Sequence, residues 1–124
     1  MLAAIFVFSG VALAAPRYTV KLNVPHYVSE GQTFKLKATG ISSTRSHLEV
    51  FVTSKPCAKS VAAETKRASG ALISKKVFRS YTGSKAVHAR AGTYDACAYL
   101  TPIGHSSITR ARTSATYYVL VGAY

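Results

Sequence analysis

Carboxylates are the scarcest chemistry in this sequence: Glu30, Glu49, Glu64 and Asp95 are the only four in 124 residues. A paired-carboxylate glycosidase needs two acids facing each other across a cleft. Glu30 and Glu64 fall in turn-like or loop-like segments, where solvated charges are ordinary. Glu49 and Asp95 lie on strand-like segments that could approach across sheets, although pairing with the abundant lysines is the simpler expectation. Cysteine is nearly as scarce. Cys57 and Cys97 have neither a C-x-x-C partner nor a histidine at ligand spacing, so no metal site is expected. There is no G-x-S-x-G elbow and no glycine-rich phosphate loop, the glycines being isolated turn formers. His26, His47, His88 and His105 are scattered singly and read as exposed turn or strand-end residues. Composition permits a Ser-His-Asp triad, as it does in almost any chain, but geometry alone identifies one. The expectation is therefore a protein that is not an enzyme and needs no cofactor, with a small hydrolase as the least favoured alternative.

Long apolar runs are also lacking, with one exception. Residues 1–14 carry no charge and run through Leu2, Ile5, Phe6, Val7, Phe8, Val11 and Leu13, closing on Ala12 and Ala14. This matches the apolar core and small-residue cleavage site of a secretory signal peptide, with the cut expected after Ala14 and before Ala15-Pro16. The positive segment that normally precedes such a run is missing, so either the true start lies upstream or the signal is a poor one. A buried N-terminal strand or helix is the alternative. The run is too short for the roughly 18–20 apolar residues that a bilayer requires, and the mature chain contains no transmembrane span. Residues 15–124 are then one domain, secreted or held at the cell envelope. In an oxidising compartment an isolated cysteine pair is expected to form one disulfide, Cys57–Cys97.

What is plentiful is positive charge. Sixteen Lys and Arg against four acids give a net charge of +12, which four carboxylates cannot balance. Such a surface favours anionic partners, whether cell-wall polymers, acidic glycans, lipids or nucleic acid. Simple solubility explains it equally well.

The mature sequence alternates apolar and polar residues with the period of two that marks half-buried strands. Tyr18, Val20, Leu22 and Val24 share one face of the first strand. After the turn at Ser29-Glu30-Gly31-Gln32, Phe34, Leu36 and Ala38 point inward, and Gly40 is read as the end of the second strand. A polar stretch, Ser42 to Ser46, leads to a third strand over 47–53, where Phe51 is an aromatic on the nominally wet face. Residues 60–68 suit one or two helical turns or an irregular loop. Strands follow over 71–80, with a bulge or a break, over 93–100 after a turn at Gly83-Ser84, and over 114–121. The last has apolar residues on both faces and is expected to be covered on both sides. Six or seven strands without a long helix between them argue for an antiparallel sandwich or barrel.

The run Gly92-Thr93-Tyr94-Asp95-Ala96-Cys97-Ala98-Tyr99-Leu100, with a cysteine just beyond the earlier Glu49-Val50-Phe51-Val52 strand, resembles immunoglobulin-like domains of secreted actinobacterial proteins of unknown function. The likeness extends to the opening strand, Pro25 and the Gly31-Gln32-Thr33-Phe34 turn. It implies an immunoglobulin-like or fibronectin-III-like sandwich of about seven strands and carries no catalytic residue. In antibody domains a corner tyrosine lies two residues before the second cysteine, and a tryptophan packs on the disulfide. Here Tyr94 is three before Cys97, so a regular strand puts them on opposite faces, and tryptophan is absent. The disulfide is therefore expected to tie a loop to the penultimate strand rather than to cross the core.

Function follows these expectations: a non-catalytic binding or structural module, or alternatively a polyanion-binding domain. Its anion-binding candidates are Lys21, Lys35 and Lys37 as one stripe, Lys75, Lys76 and Arg79 (with Lys85 and Arg90) as a second cluster, and Arg110 with Arg112. Phe51, Tyr81 and Tyr99 are the aromatics available for stacking unpaired bases.

Overall fold

The computed structural model describes residues 17–54, 56–67 and 70–121; the expected signal peptide lies outside the described residues. The elements are β1 (Tyr18–Asn23), β2 (Tyr27–Ser29), β3 (Thr33–Thr53), helix α1 (Val61–Arg67), β4 (Ile73–His88), β5 (Gly92–Pro102) and β6 (Ala111–Leu120).

Two of these strands are longer than the sequence pattern suggests. β3 is one strand of 21 residues, bent at Ser42–Ser46 instead of broken there. At the bend three residues of β3 (Ser43, Thr44, Arg45) oppose one residue of β4, Phe78. Arg79, next along β4, takes a positive φ of 73°. Polar residues survive inside the strand because their groups are partnered locally. Ser42 and Ser46 are buried with their Oγ atoms 2.6 Å apart, and both hydroxyls reach the Thr44 carbonyl. Arg110 closes the corner: its Nη1 lies 2.9 Å from Thr44 Oγ1 and Ser46 Oγ and 3.0 Å from the Arg45 carbonyl. Its guanidinium also sits 4.9 Å above the Tyr18 ring.

The turn expected at Gly83-Ser84 is likewise absent, since both residues continue β4. The Tyr81 ring lies over Gly83, where a Cβ would fall 2.0 Å from the tyrosine oxygen. A glycine in a strand interior often marks such a close approach.

Because β3 and β4 bend, each contributes to two layers. The first half of β3 pairs with β1 and with the second half of β4. The second half of β3 pairs with the first half of β4 and with β5, which continues to β6 and β2. β1 packs against β5 and β6 across the interior, so the two layers form a sandwich. All ladders are antiparallel except β2–β6, which is parallel. β2 has only three residues, too few to leave an alternation in the sequence.

The core lies between the layers and is built from alternate residues: Leu36 and Ala38 from the first half of β3, and, beyond the bend, Leu48 and Val50 with their ladder neighbours Ala96, Ala98 and Leu100 of β5. The other strand face of β5 carries Cys97 and Tyr99 into a smaller cluster with Phe51 and Val61. Tyr94 packs with the main core, so it and Cys97 do lie on opposite faces. The outward face of β6 is not covered as expected: Tyr118 is half-buried and Leu120 exposed.

Candidate functional site

The outer face of the first layer is set by register. Lys21 pairs with Thr39, and Asn23 with Lys37, across β1 and β3. Lys35 and Lys37 stand two residues apart, about 7 Å along an extended strand, and Lys21 is the diagonal neighbour of Lys37. All three are exposed. The rest of the face is neutral: Thr19, Thr33, Thr39, Ile41, Ser80, Thr82, Ser84 and Ala86, with His88 at the strand end. Thr39 and Thr82 join hydroxyls at 3.2 Å. Lys21, Asn23, Lys37 and Thr39 line a shallow depression of about 320 Å³. No carboxylate stands on this face, and among the described residues no lysine forms an ion pair.

The other basic candidates do not gather in the same way. Lys76 pairs with His47 on the outer face, whereas Lys75 pairs with Leu48 and Lys85 with Leu36, positions that look towards the core. Both are nevertheless exposed, because β4 pairs only with β3 and its far edge is free. Inward-looking lysines on an unpaired edge discourage another strand from adding there. Arg79 occupies the bend, Arg90 is exposed beyond β4, and Arg110 is engaged at the corner. Arg112 pairs with Tyr99 and borders a separate cleft beside Cys57 and Asp95.

The second layer's outer face is closed by α1 and the disulfide. Ser60 caps the helix, its Oγ accepting from the Ala63 N–H at 3.2 Å. Cys57, in the loop before the helix, is bonded to Cys97 on β5, with Cα atoms 5.7 Å apart. The bridge ties a loop to the penultimate strand, as the spacing predicts. Phe51, the aromatic on the nominally wet face, is 1% exposed beneath this cover, 6.0 Å from Tyr99 in an edge-to-face contact. Phe51 and Tyr99 are therefore core residues and cannot stack with bases, and Tyr81 is half-buried over Gly83.

Glu64 corrects a second expectation. It is fully buried, not solvated in a loop. Its Oε1 accepts from the Ala58 N–H at 2.9 Å and from Arg67 at 3.0 Å, and the Tyr99 hydroxyl lies 3.2 Å away while donating to the Ala58 carbonyl at 2.6 Å. Burial, then the Glu64 charge and its hydrogen bond, raise the Tyr99 hydroxyl well above the ordinary tyrosine range. In the main core, burial and then Tyr94 push Tyr117 up to about 12.

Among the described residues, Asp95 and Glu49 are partnered by groups other than lysine. Asp95 accepts from the Thr116 hydroxyl at 2.6 Å. Glu49 lies 3.6 Å from His47 Nδ1, and His47 Nε2 is 2.7 Å from Ser74 Oγ. His47 and Glu49 border a groove of about 490 Å³ that also receives Thr101, His105 and Lys66. A serine, histidine and glutamate thus stand in line, which the separate sequence positions did not suggest. The Glu–His gap exceeds hydrogen-bond length, and the three residues occupy neighbouring strand positions where polar side chains ordinarily pair. The arrangement is polar pairing across the β3–β4 ladder and falls short of a charge relay.

The chain is similar in structure to a CARDB domain from Pyrococcus furiosus, solved in complex with di-metal ions, at a TM-score of 0.56. The identity is 12%, over 88% of this chain and 90% of that one. The architecture is that of an immunoglobulin-like β-sandwich. No family model matches the sequence, and neither does any curated protein. Among the described residues no group of three or more His, Cys, Asp or Glu could hold a metal ion, and no helix is long and apolar enough to cross a membrane.

Proposed function

We propose that this chain is an exported, non-catalytic immunoglobulin-like module whose open face binds an anionic polymer of the cell envelope or its surroundings. The observation that carries this reading is the convergence of Lys21, Lys35 and Lys37 on a sheet face that holds no carboxylate. Three lysines on paired strands, Lys35 and Lys37 about 7 Å apart along β3 and Lys21 diagonal to Lys37 on β1, present a cluster of ammonium groups to a chain of phosphates or carboxylates. Their side chains are long and hydrated, which suits point-charge attraction rather than recognition of one planar group. Association by such a cluster is driven largely by release of counterions, so it weakens steeply with salt.

Export is supported by the apolar segment at 1–14, by the resemblance to domains of secreted proteins and by the disulfide, which persists in oxidising compartments. The direct test is retention of the mature protein on immobilised heparin or teichoic acid. Retention persisting near physiological salt is expected, and elution at low salt would remove the polyanion reading.

A further inference from the structure

The bend that carries β3 and β4 between layers creates a second exposed feature, separate from the lysine cluster. Phe78, the single β4 residue facing the three-residue bulge, is 51% exposed, and Ile103 in the turn after β5 is 42% exposed. Together with Val77, Arg45 and Lys76 they line one hollow of about 140 Å³. The Arg79 guanidinium sits 5.5 Å from the centre of the Phe78 ring. Two large apolar side chains thus project from a rigid corner ringed by Arg45, Lys76 and Arg79, and none of the four carboxylates lines the hollow.

The chemistry is amphipathic. An isolated exposed apolar residue needs no explanation, but an aromatic and an aliphatic side chain sharing a hollow rimmed by cations fit a surface that is oily beneath and negative above. That is an anionic bilayer: apolar tips reach the acyl boundary while Arg and Lys meet the headgroups. Charge complementarity selects this occupant over a second copy of the chain, which would bring another +12 to the contact. The rigid bend matters here, because Ser42, Ser46 and Arg110 fix the corner before any surface is met.

We infer that the Phe78–Ile103 corner, with Arg45, Lys76 and Arg79, docks the domain on anionic phospholipid membranes. The sequence holds no tryptophan, so Phe78→Trp places a unique fluorophore at the contact. Its emission should shift to the blue with phosphatidylcholine vesicles containing phosphatidylglycerol, and stay unchanged with phosphatidylcholine alone. Phe78→Ser in the otherwise native chain should lower the vesicle partition about tenfold. Neutralising Arg45 or Lys76 should lower it about fivefold each, with thermal unfolding of each exposed-site variant showing that the fold persists. Neutralising Lys21, Lys35 and Lys37 together should leave the blue shift in place, which separates this site from the polyanion face. Absence of a shift would overturn the inference. So would vesicle binding indifferent to Phe78→Ser, or an equal shift with soluble polyglutamate, which would make the occupant an acidic peptide.

Discussion

The two outer faces of this sandwich have opposite fates, and the difference lies in what happens to charge. On the face formed by β1, β3 and β4, none of the described residues covers the strands, and Lys21, Lys35 and Lys37 stand without acidic neighbours. On the other, α1 and the disulfide cover Phe51 and Tyr99, and Glu64 is buried with Arg67 as its counterion. A buried carboxylate is tolerated only when paired and hydrogen-bonded, so one of the few acids is consumed in holding the cover down. The open face is left with uncompensated cations, whose mutual repulsion works slightly against stability. One face therefore holds the fold together, while the other bears a small stability cost that a ligand could offset.

The covered face depends most heavily on its disulfide. Closing a loop with a sequence separation of 40 is worth about 4 kcal/mol in the chain-entropy model. Replacing Cys57 and Cys97 together with alanine should lower the unfolding free energy by about that amount in denaturant titrations. Glu64→Ala comes next. It strips Arg67 and the Ala58 N–H of their shared acceptor, and loss of one partner of a buried pair costs about 3–5 kcal/mol. The same titration should show a fall near the lower figure, since Arg67 is partly solvated.

A pH scan sharpens the contrast further. Tyr99 and Tyr117 both ionise later in the folded protein than in the unfolded chain. Above the ordinary tyrosine value of 10 the unfolded state therefore binds fewer protons than the native state. Their contribution is fully present below pH 10 and is lost as pH rises towards the raised values. Each tyrosine adds at most about 1.4 kcal/mol per pH unit to the slope. Tyr99→Phe should flatten that slope in stability measurements between pH 10 and 12, and an unchanged slope would place the alkaline sensitivity elsewhere. On the open face, replacing Lys21, Lys35 and Lys37 with glutamine should change stability by no more than about 0.5 kcal/mol.

Much of this architecture was legible because strands alternate. The inward sets of β1 and of the start of β3 follow from the period of two, and the lysine stripe follows from the wet positions of two strands that do pair. Phe51 broke its own pattern, and that break was the visible trace of the covering helix. The bend at Ser42–Ser46 was hidden because serines that normally end strands are here partnered by one another and by Arg110, 64 residues away from Ser46. Gly83 misled for a similar reason: its missing side chain admits Tyr81 instead of making a turn. Burial of Glu64 and the line of Ser74, His47 and Glu49 depend on contacts between distant segments, and local patterning carries no signal for either.

Position on the open face, rather than total charge, governs binding in this reading, and charge-matched variants separate the two. One variant replaces Lys21, Lys35 and Lys37 with glutamine; its control replaces Lys59, Lys75 and Lys85, which lie off that face. Both lose the same three charges. On immobilised heparin over a range of salt, the first should elute earlier, with its log–log salt slope reduced by about two to three, while the control stays close to the parent protein. Equal elution and equal slopes for the two variants would contradict the account, leaving the positive charge as a diffuse property of the whole surface.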